Sequence, residues 1–465
     1  MRLSRHVLSA QCLPDDVALP GYERTEKQVG IVHFGLGAFT RAHQVWYTDR
    51  AMAAAGGDWL TIGVSLRSPT VGDQLNPQDG LYTLAERSGA GTRRQVIGAV
   101  REVLVATAER AAVVVHLAAP GTHVVTFTVT EKGYCRAADG SLHLALAGQG
   151  FYPLLAEALA QRQAAGSGGL TLLSCDNLAD NGHQLRRLLR EYIDVHDPDL
   201  WPWIERHCTF PCSMVDRIVP ATTPEDRAAA ATALGLEDAG LVVTEPFSQW
   251  VIEDAFAGPR PAWDAVGAEI VPSVAPYETA KLRMLNGAHS ALAYCGLLAG
   301  HSYVHEAVGD PFLRPLVEGL MREEAAPTIA AAPGQDLGAY ADALLARFAN
   351  PALNHRLIQI AMDGSQKIPQ RWLATLAANR RAGRSCPAII TALAAWLRHL
   401  RGDNAARWGR VDDPRADELA AAWRAHGAAG IVGALFGPAG LMAGEWTPSA
   451  DDHAMLAEAL GSGDS

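Results

Sequence analysis

The sequence predicts an α/β protein, with a doubly wound parallel sheet in its first half and a mostly α-helical second half. Three observations carry that reading. Short apolar, β-branched runs alternate with helical stretches in the first half, a glycine turn follows the first of those runs, and after Tyr277 helix follows helix without a strand between. The 465 residues allow two or three domains. With 49% hydrophobic and 19% charged residues the chain has the composition of a globular enzyme rather than of a disordered one.

In chain order, residues 30–34 (GIVHF), 60–64 (LTIGV), 122–129 (THVVTFTV) and 170–175 (LTLLSC) read as strands buried on both faces. Helices are expected over 41–55, 152–165 and 182–195 between them. The second half offers helices at 278–298, 311–324, 337–348, 355–362, 386–400 and 416–426. Pro272 and Pro276 mark a linker, which places the domains at 1–275 and 276–465.

The formal net charge of −11 argues against nucleic acid or an anionic membrane as partner. Seven cysteines, an odd count spread along the chain, read as free thiols in a reducing cytoplasm. Gln11 and Asp15 interrupt any signal-peptide core near the start. Two uncharged stretches fail as membrane spans. Residues 427–444 contain six glycines and Pro438, and residues 284–303 contain Asn286, His289 and Ser290. A cytoplasmic protein is expected, as a monomer or a small homo-oligomer acting on a small molecule.

Residues 30–43 read as strand, tight turn and helix, with Gly35 making the turn and Gly37 letting backbone approach a pyrophosphate. Gly35, Leu36, Gly37, Ala38 and Phe39 are therefore the cofactor-binding candidates. Thr40 stands where the dinucleotide fingerprint has its third glycine, and the same pattern occurs in cofactor-free strand–turn–helix units. The acid expected after the second strand is missing, since Arg67 and Thr70 precede the first one, Asp73. Arg67 faces either a 2′-phosphate or solvent, so NAD is expected with NADP still open.

Residues 277–292 read as one helix. At about 100° per residue, His289 lies about 80° and Asn286 about 140° around it from Lys281. Singly, each would pass as a surface lysine or a satisfied core residue. Together they supply what metal-free oxidation of a secondary alcohol needs: a base, an amide for the developing alkoxide and an imidazole for a hydroxyl.

The helix sequence K-L-R-M-L-N-G-x-H resembles the catalytic helix of the mannitol dehydrogenase family. Further blocks lie at 35–44 (G-x-G-A-F-x-R-A-H-Q), 128–135 (T-V-T-E-K-G-Y-C), 174–177 (S-C-D-N), 210–220 (F-P-C-x-M-V-D-R-I-V-P), 245–254 (E-P-F-x-Q-W-V-I-E-D) and 359–371 (Q-I-A-M-D-G-S-Q-K-I-P-Q-R). By these seven blocks in order the chain is identified as a member of that family. The resemblance implies a Rossmann-like first domain and a zinc-independent, NAD(P)-dependent oxidoreductase interconverting a polyol or aldonate with its keto sugar.

It also implies roles. Lys281 is the general acid/base, Asn177 and Asn286 polarise the reacting oxygen, His289 binds substrate and Glu278 gates proton release. Asp216 and Lys367 contact substrate. Thr70 stands where mannitol dehydrogenases carry the cofactor-selecting aspartate, and Thr40 where the glycine-loop motif commonly has histidine. Gln359 replaces the family's substrate-binding arginine, and the block at 359–371 resembles that of fructuronate reductases more than that of mannitol dehydrogenases. A sugar acid would need a countercharge, for which Arg283, Arg356, Lys367 and Arg371 are available.

The best reading is thus D-fructuronate/D-mannonate, with D-mannitol/D-fructose or another polyol pair as the alternative. Two other classes fit the sequence less well. His207, Cys208 and Cys212 form a local cluster without a second half at ligand spacing, so no metal is expected. A non-catalytic nucleotide sensor would have no use for the Lys281, Asn286 and His289 set.

Overall fold

The computed structural model describes residues 1–9, 13–137, 139–444 and 446–461, so Gln11 lies outside the described residues. The chain forms two compact units, Met1–Val274 and Ala275–Ser465. The first contains β1 (Val17–Ala18), β2 (Val29–Phe34), β3 (Leu60–Ser65), β4 (Tyr82–Ser88), β5 (Gly91–Ile97) and β6 (Val100–Val105). It continues with β7 (Val124–Phe127), β8 (Thr171–Ser174), β9 (Ser213–Asp216), β10 (Val242–Thr244), β11 (Gln249–Glu253) and β12 (Glu269–Val271).

Five of these strands make an all-parallel sheet in the order β6-β3-β2-β7-β8. Counted along the chain, that order is 3-2-1-4-5, the arrangement of a doubly wound dinucleotide fold with its switch point between β2 and β7. The strand period of two assigns the faces of β2. Val32 and Phe34 join the core under Tyr152–Ala164 and Asn181–His196, while Ile31 joins the core under Gln44–Ala55.

The expected helix over 41–55 is two helices, Ala38–Ala42 and Gln44–Ala55, because His43 leaves helical geometry (φ −123°, ψ −90°). Two smaller sheets, β1-β5-β4-β10 and β12-β11-β9, were not read from the sequence. The β4–β5 hairpin turns at Ser88-Gly-Ala-Gly91, and Arg217 anchors it through a buried ion pair to Glu86 (2.6 Å).

Among its described residues the second unit has no strand and is packed around one helical core. Its helices are broken more often than their composition predicts. The single helix expected across 277–292 is Ala275–Ala280, then a π-helical turn Lys281–Leu285, then Asn286–Ala299. The helix expected over 311–324 likewise becomes Leu313–Gly319 plus a π-helical Leu320–Ala325. Ala416–Phe436 is the one described helix long and apolar enough to cross a membrane, and it breaks at Gly427 (φ 56°, ψ −171°).

Candidate active site

The glycine turn sits at the switch point of the sheet. Gly35 has φ +90°, and a Cβ there would lie 2.1 Å from the Thr128 carbonyl oxygen, so only glycine fits. A Cβ on Gly37 would meet only the Gly35 oxygen, 3.8 Å away, so its side is open to an approaching ligand. Leu36 is buried against Gly63, Ala38 and Phe39 open the short helix, and the Phe39 ring stacks on His43 at 5.1 Å. A backbone turn with one open face and a buried anchor on each side suits a dinucleotide pyrophosphate.

Thr40 is a working part of that turn rather than a gap in a motif. It is fully buried and bonds to the Thr128 hydroxyl and to His33 Nε2 (3.0 Å). His33 also bonds Thr126 (Nδ1, 2.6 Å) and Thr128 (Nε2, 2.9 Å), and the Thr128 hydroxyl donates to the Gly35 carbonyl (2.7 Å). Burial holds the His33 imidazole neutral, with its pKa pulled down to about 3. Arg67 is exposed beyond β3, where Ser65, Ser68 and Thr70 bond one another.

At the end of β8, Asp176 accepts bonds from Val129 N (3.0 Å), Thr130 N (2.8 Å) and the Tyr134 hydroxyl (2.9 Å). Thr130 has φ +62°, a costly conformation for a β-branched residue, and the Asp176 bond to its N–H is what holds it. Burial raises the Asp176 pKa, with these bonds opposing the shift. Asn177 follows at once and is exposed. Asn181 bonds both the Asp176 carbonyl and the two backbone groups of Ser213, which joins the Asn177 loop to β9 and its buried terminal residue Asp216. Sequence reasoning had missed Asp176, Asn181 and Thr130, although an acid directly before Asn177 was a visible signal.

In the helical unit the π turn changes the expected angles. Each residue of a wider turn advances by less than 100°, so the 80° and 140° offsets of a regular helix do not apply to Lys281. Met284 and Leu285 are buried, whereas Lys281, Leu282, Arg283 and Asn286 are half-buried, as is Glu278 on the preceding helix. A π turn of this kind is frequent at functional sites.

His289 is buried against the Phe348 ring (4.7 Å) and the edge of His355 (5.2 Å). Its Nε2 has no hydrogen-bond partner among the described residues. Burial, then His355, Arg347 and Arg371, keep its pKa well below the usual value, so the ring is neutral at pH 7. Arg371 donates to the Ser290 hydroxyl (2.7 Å) and the Asn286 carbonyl (3.3 Å), which fixes a cation beside this helix. Its own pKa falls to about 10 through burial.

Lys367, one turn earlier, donates to the Met362 carbonyl (2.6 Å) and stands 3.7 Å from Asp363. Burial and then Arg371 lower its pKa. The other basic candidates are placed differently. Arg283 is anchored to the carbonyl and hydroxyl of Thr328, and Arg356 and Gln359 are exposed. His207, Cys208 and Cys212 do not converge, because His207 bonds the Trp203 carbonyl and Cys208 lies in the core.

A parallel sheet in this order, a glycine turn at its switch point and a helical unit carrying Lys281, Asn286 and His289 define a two-domain dinucleotide-dependent dehydrogenase. Comparison with known proteins specifies the family. The mannitol dehydrogenase Rossmann domain matches residues 29–265 and the mannitol dehydrogenase C-terminal domain residues 273–435. The chain is 40% identical over 452 residues to D-mannonate oxidoreductase of Escherichia coli (strain K12), covering 94% of this chain and 93% of the relative. It is 39% identical over 425 residues to mannitol 2-dehydrogenase of Phaeosphaeria nodorum, covering 87% and 75%.

In structure it resembles the Pseudomonas fluorescens mannitol 2-dehydrogenase ternary complex with NAD and D-mannitol. The TM-score is 0.83 at 35% identity, with 99% and 96% of the chains covered. The chain belongs to the mannitol dehydrogenase family. It is an NAD(P)-dependent oxidoreductase acting on a CH–OH group.

Proposed function

We propose that the enzyme interconverts D-fructuronate and D-mannonate. One observation carries the preference for a sugar acid. Arg371 is bonded to Asn286 and Ser290 on the same helix as His289, and Lys367 stands one turn before it. Burial lowers the pKa of both cations and Arg371 lowers that of Lys367 further, so the pair favours an anionic partner. The similarity to a D-mannonate oxidoreductase points the same way.

In the oxidation direction, Lys281 Nζ accepts the hydroxyl proton and Glu278 passes it on. The carboxamides of Asn177 and Asn286 donate to the oxygen as its charge develops. The neutral His289 ring offers its buried Nε2 to a substrate hydroxyl, which supplies the partner that nitrogen lacks among the described residues. Asp216 and Lys367 orient the chain of hydroxyls and the carboxylate. Gly35–Phe39 would hold NAD, which would supply the hydride chemistry. The lysine and the amides do the work of a Lewis acid, so the reaction calls for no catalytic metal.

We place the enzyme in the cytoplasm, as a monomer or small homo-oligomer without nucleic-acid or membrane partners, in keeping with the net charge of −11. The test is a spectrophotometric panel following NADH and NADPH oxidation with fructuronate, tagaturonate and fructose. Fructuronate with NADH is expected to give the highest kcat/KM. Fructose reduced as well as fructuronate would replace this reading with the mannitol one.

A further inference from the structure

Folding gives Cys212 partners that its sequence neighbours did not suggest. Its Sγ lies 3.7 Å from Asp180 Oδ1 and 3.8 Å from His183 Nδ1, and those two atoms are 2.5 Å apart. Around a tetrahedral zinc ion with bonds of about 2.0–2.3 Å, donor atoms stand roughly 3.3–3.8 Å from one another. Both sulfur edges of this triangle already fit. The third has only to open by about 1 Å from a hydrogen bond, a small rotation for two exposed side chains.

The donors come from three places, each fixed by its own contacts. Cys212 is 1% exposed, its backbone N–H donates to Glu253 (2.9 Å), and Asn181 bonds both backbone groups of the next residue, Ser213. Asp180 adopts a left-handed conformation (φ 56°) directly before Asn181–His196, which lays its carboxylate over the first turn beside His183. The exposure of Asp180 and His183 gives an ion its way in and leaves a fourth position for water. A thiolate, an imidazole and a carboxylate together favour zinc over magnesium or calcium.

We propose that Asp180, His183 and Cys212 form a binding site for a zinc-class divalent cation, separate from the acid–base residues. On binding, the Cys212 S–H bond breaks, its proton goes to solvent and a sulfur–metal bond forms, without any change of oxidation state. The ion clips the segment after β8, which carries Asn177, to the start of β9, which ends in Asp216. It acts as a structural clip on two substrate-side segments and takes no part in hydride transfer.

The experiment titrates the full chain with Zn²⁺ against a chromophoric chelator and repeats it with Co²⁺. One zinc per chain and a thiolate-to-cobalt charge-transfer band are expected. His183→Ala and Cys212→Ser should each weaken binding on the order of 10- to 100-fold, and Cys208→Ser should leave it unchanged. His183 is exposed, so its variant keeps the fold. Absence of stoichiometric binding, or binding that survives both His183→Ala and Cys212→Ser, would overturn the proposal.

Discussion

His33 in the α/β unit and His289 in the helical unit are both buried and both neutral at pH 7, but their nitrogens are treated in opposite ways. His33 is surrounded by the hydroxyls of Thr40, Thr126 and Thr128. His289 packs on Phe348 and His355 and keeps Nε2 without a partner among the described residues. A buried polar atom left unpaired costs about 1–3 kcal/mol, so a fold keeps one where something else supplies the bond. The first unit uses its buried polar groups, His33, Asp176 and Asn181, to set backbone. The second leaves the His289 Nε2 unpaired among the described residues, which is the atom the proposed mechanism gives to substrate.

The largest expected effect lies with the helical unit. Lys281→Ala should lower kcat by about 10²–10⁴-fold while NADH binding, read by fluorescence, stays near wild type. Turnover within a few-fold of wild type would remove Lys281 from the mechanism.

The next effect lies with the first unit and is one of stability. The unfolded chain protonates His33 near pH 6.5, whereas the folded chain resists until about 3. Over that window the unfolded state binds the extra proton, so stability falls as pH falls, by up to about 5 kcal/mol from this residue. Denaturation curves at pH 7 and pH 4 should therefore diverge less in His33→Asn than in wild type. Equal divergence would mean that burial does not hold this ring neutral.

His289→Asn should act on binding instead. Loss of one substrate hydrogen bond, worth about 0.5–1.5 kcal/mol, should raise KM roughly 2- to 12-fold. A Tm loss as large as that of His33→Asn, with KM unchanged, would show His289 to be a core residue like His33. The smallest effect concerns metal: in Cys212→Ser, where the proposed clip is gone, activity should survive exhaustive chelation, and a loss that zinc restores there would return a metal to the chemistry.

The same contrast explains what was legible in the sequence. Strands such as β2 and β3 announce themselves as β-branched runs, and the turn at Gly35 shows because a positive φ selects glycine. The His33 network does not show, since its threonines come from separate segments that meet only after β2 and β7 pair. The β4–β5 hairpin was passed over because Arg93 and Arg94 break its apolar pattern. The π turn at Lys281–Leu285 was invisible because its residues are ordinary helix formers. Cys212 could not be matched with Asp180 and His183 from spacing at all.

The measurement that bears most directly on the account is the ratio of kcat/KM for fructuronate to that for fructose, in wild type and in Lys367→Met. A charge-assisted bond of about 1.5–3 kcal/mol to the carboxylate corresponds to roughly 10–150-fold in favour of the acid. The account predicts a ratio in that range, narrowed in the variant because the acid suffers more than the neutral sugar. A ratio near one in wild type, or one that Lys367→Met leaves untouched, would contradict it.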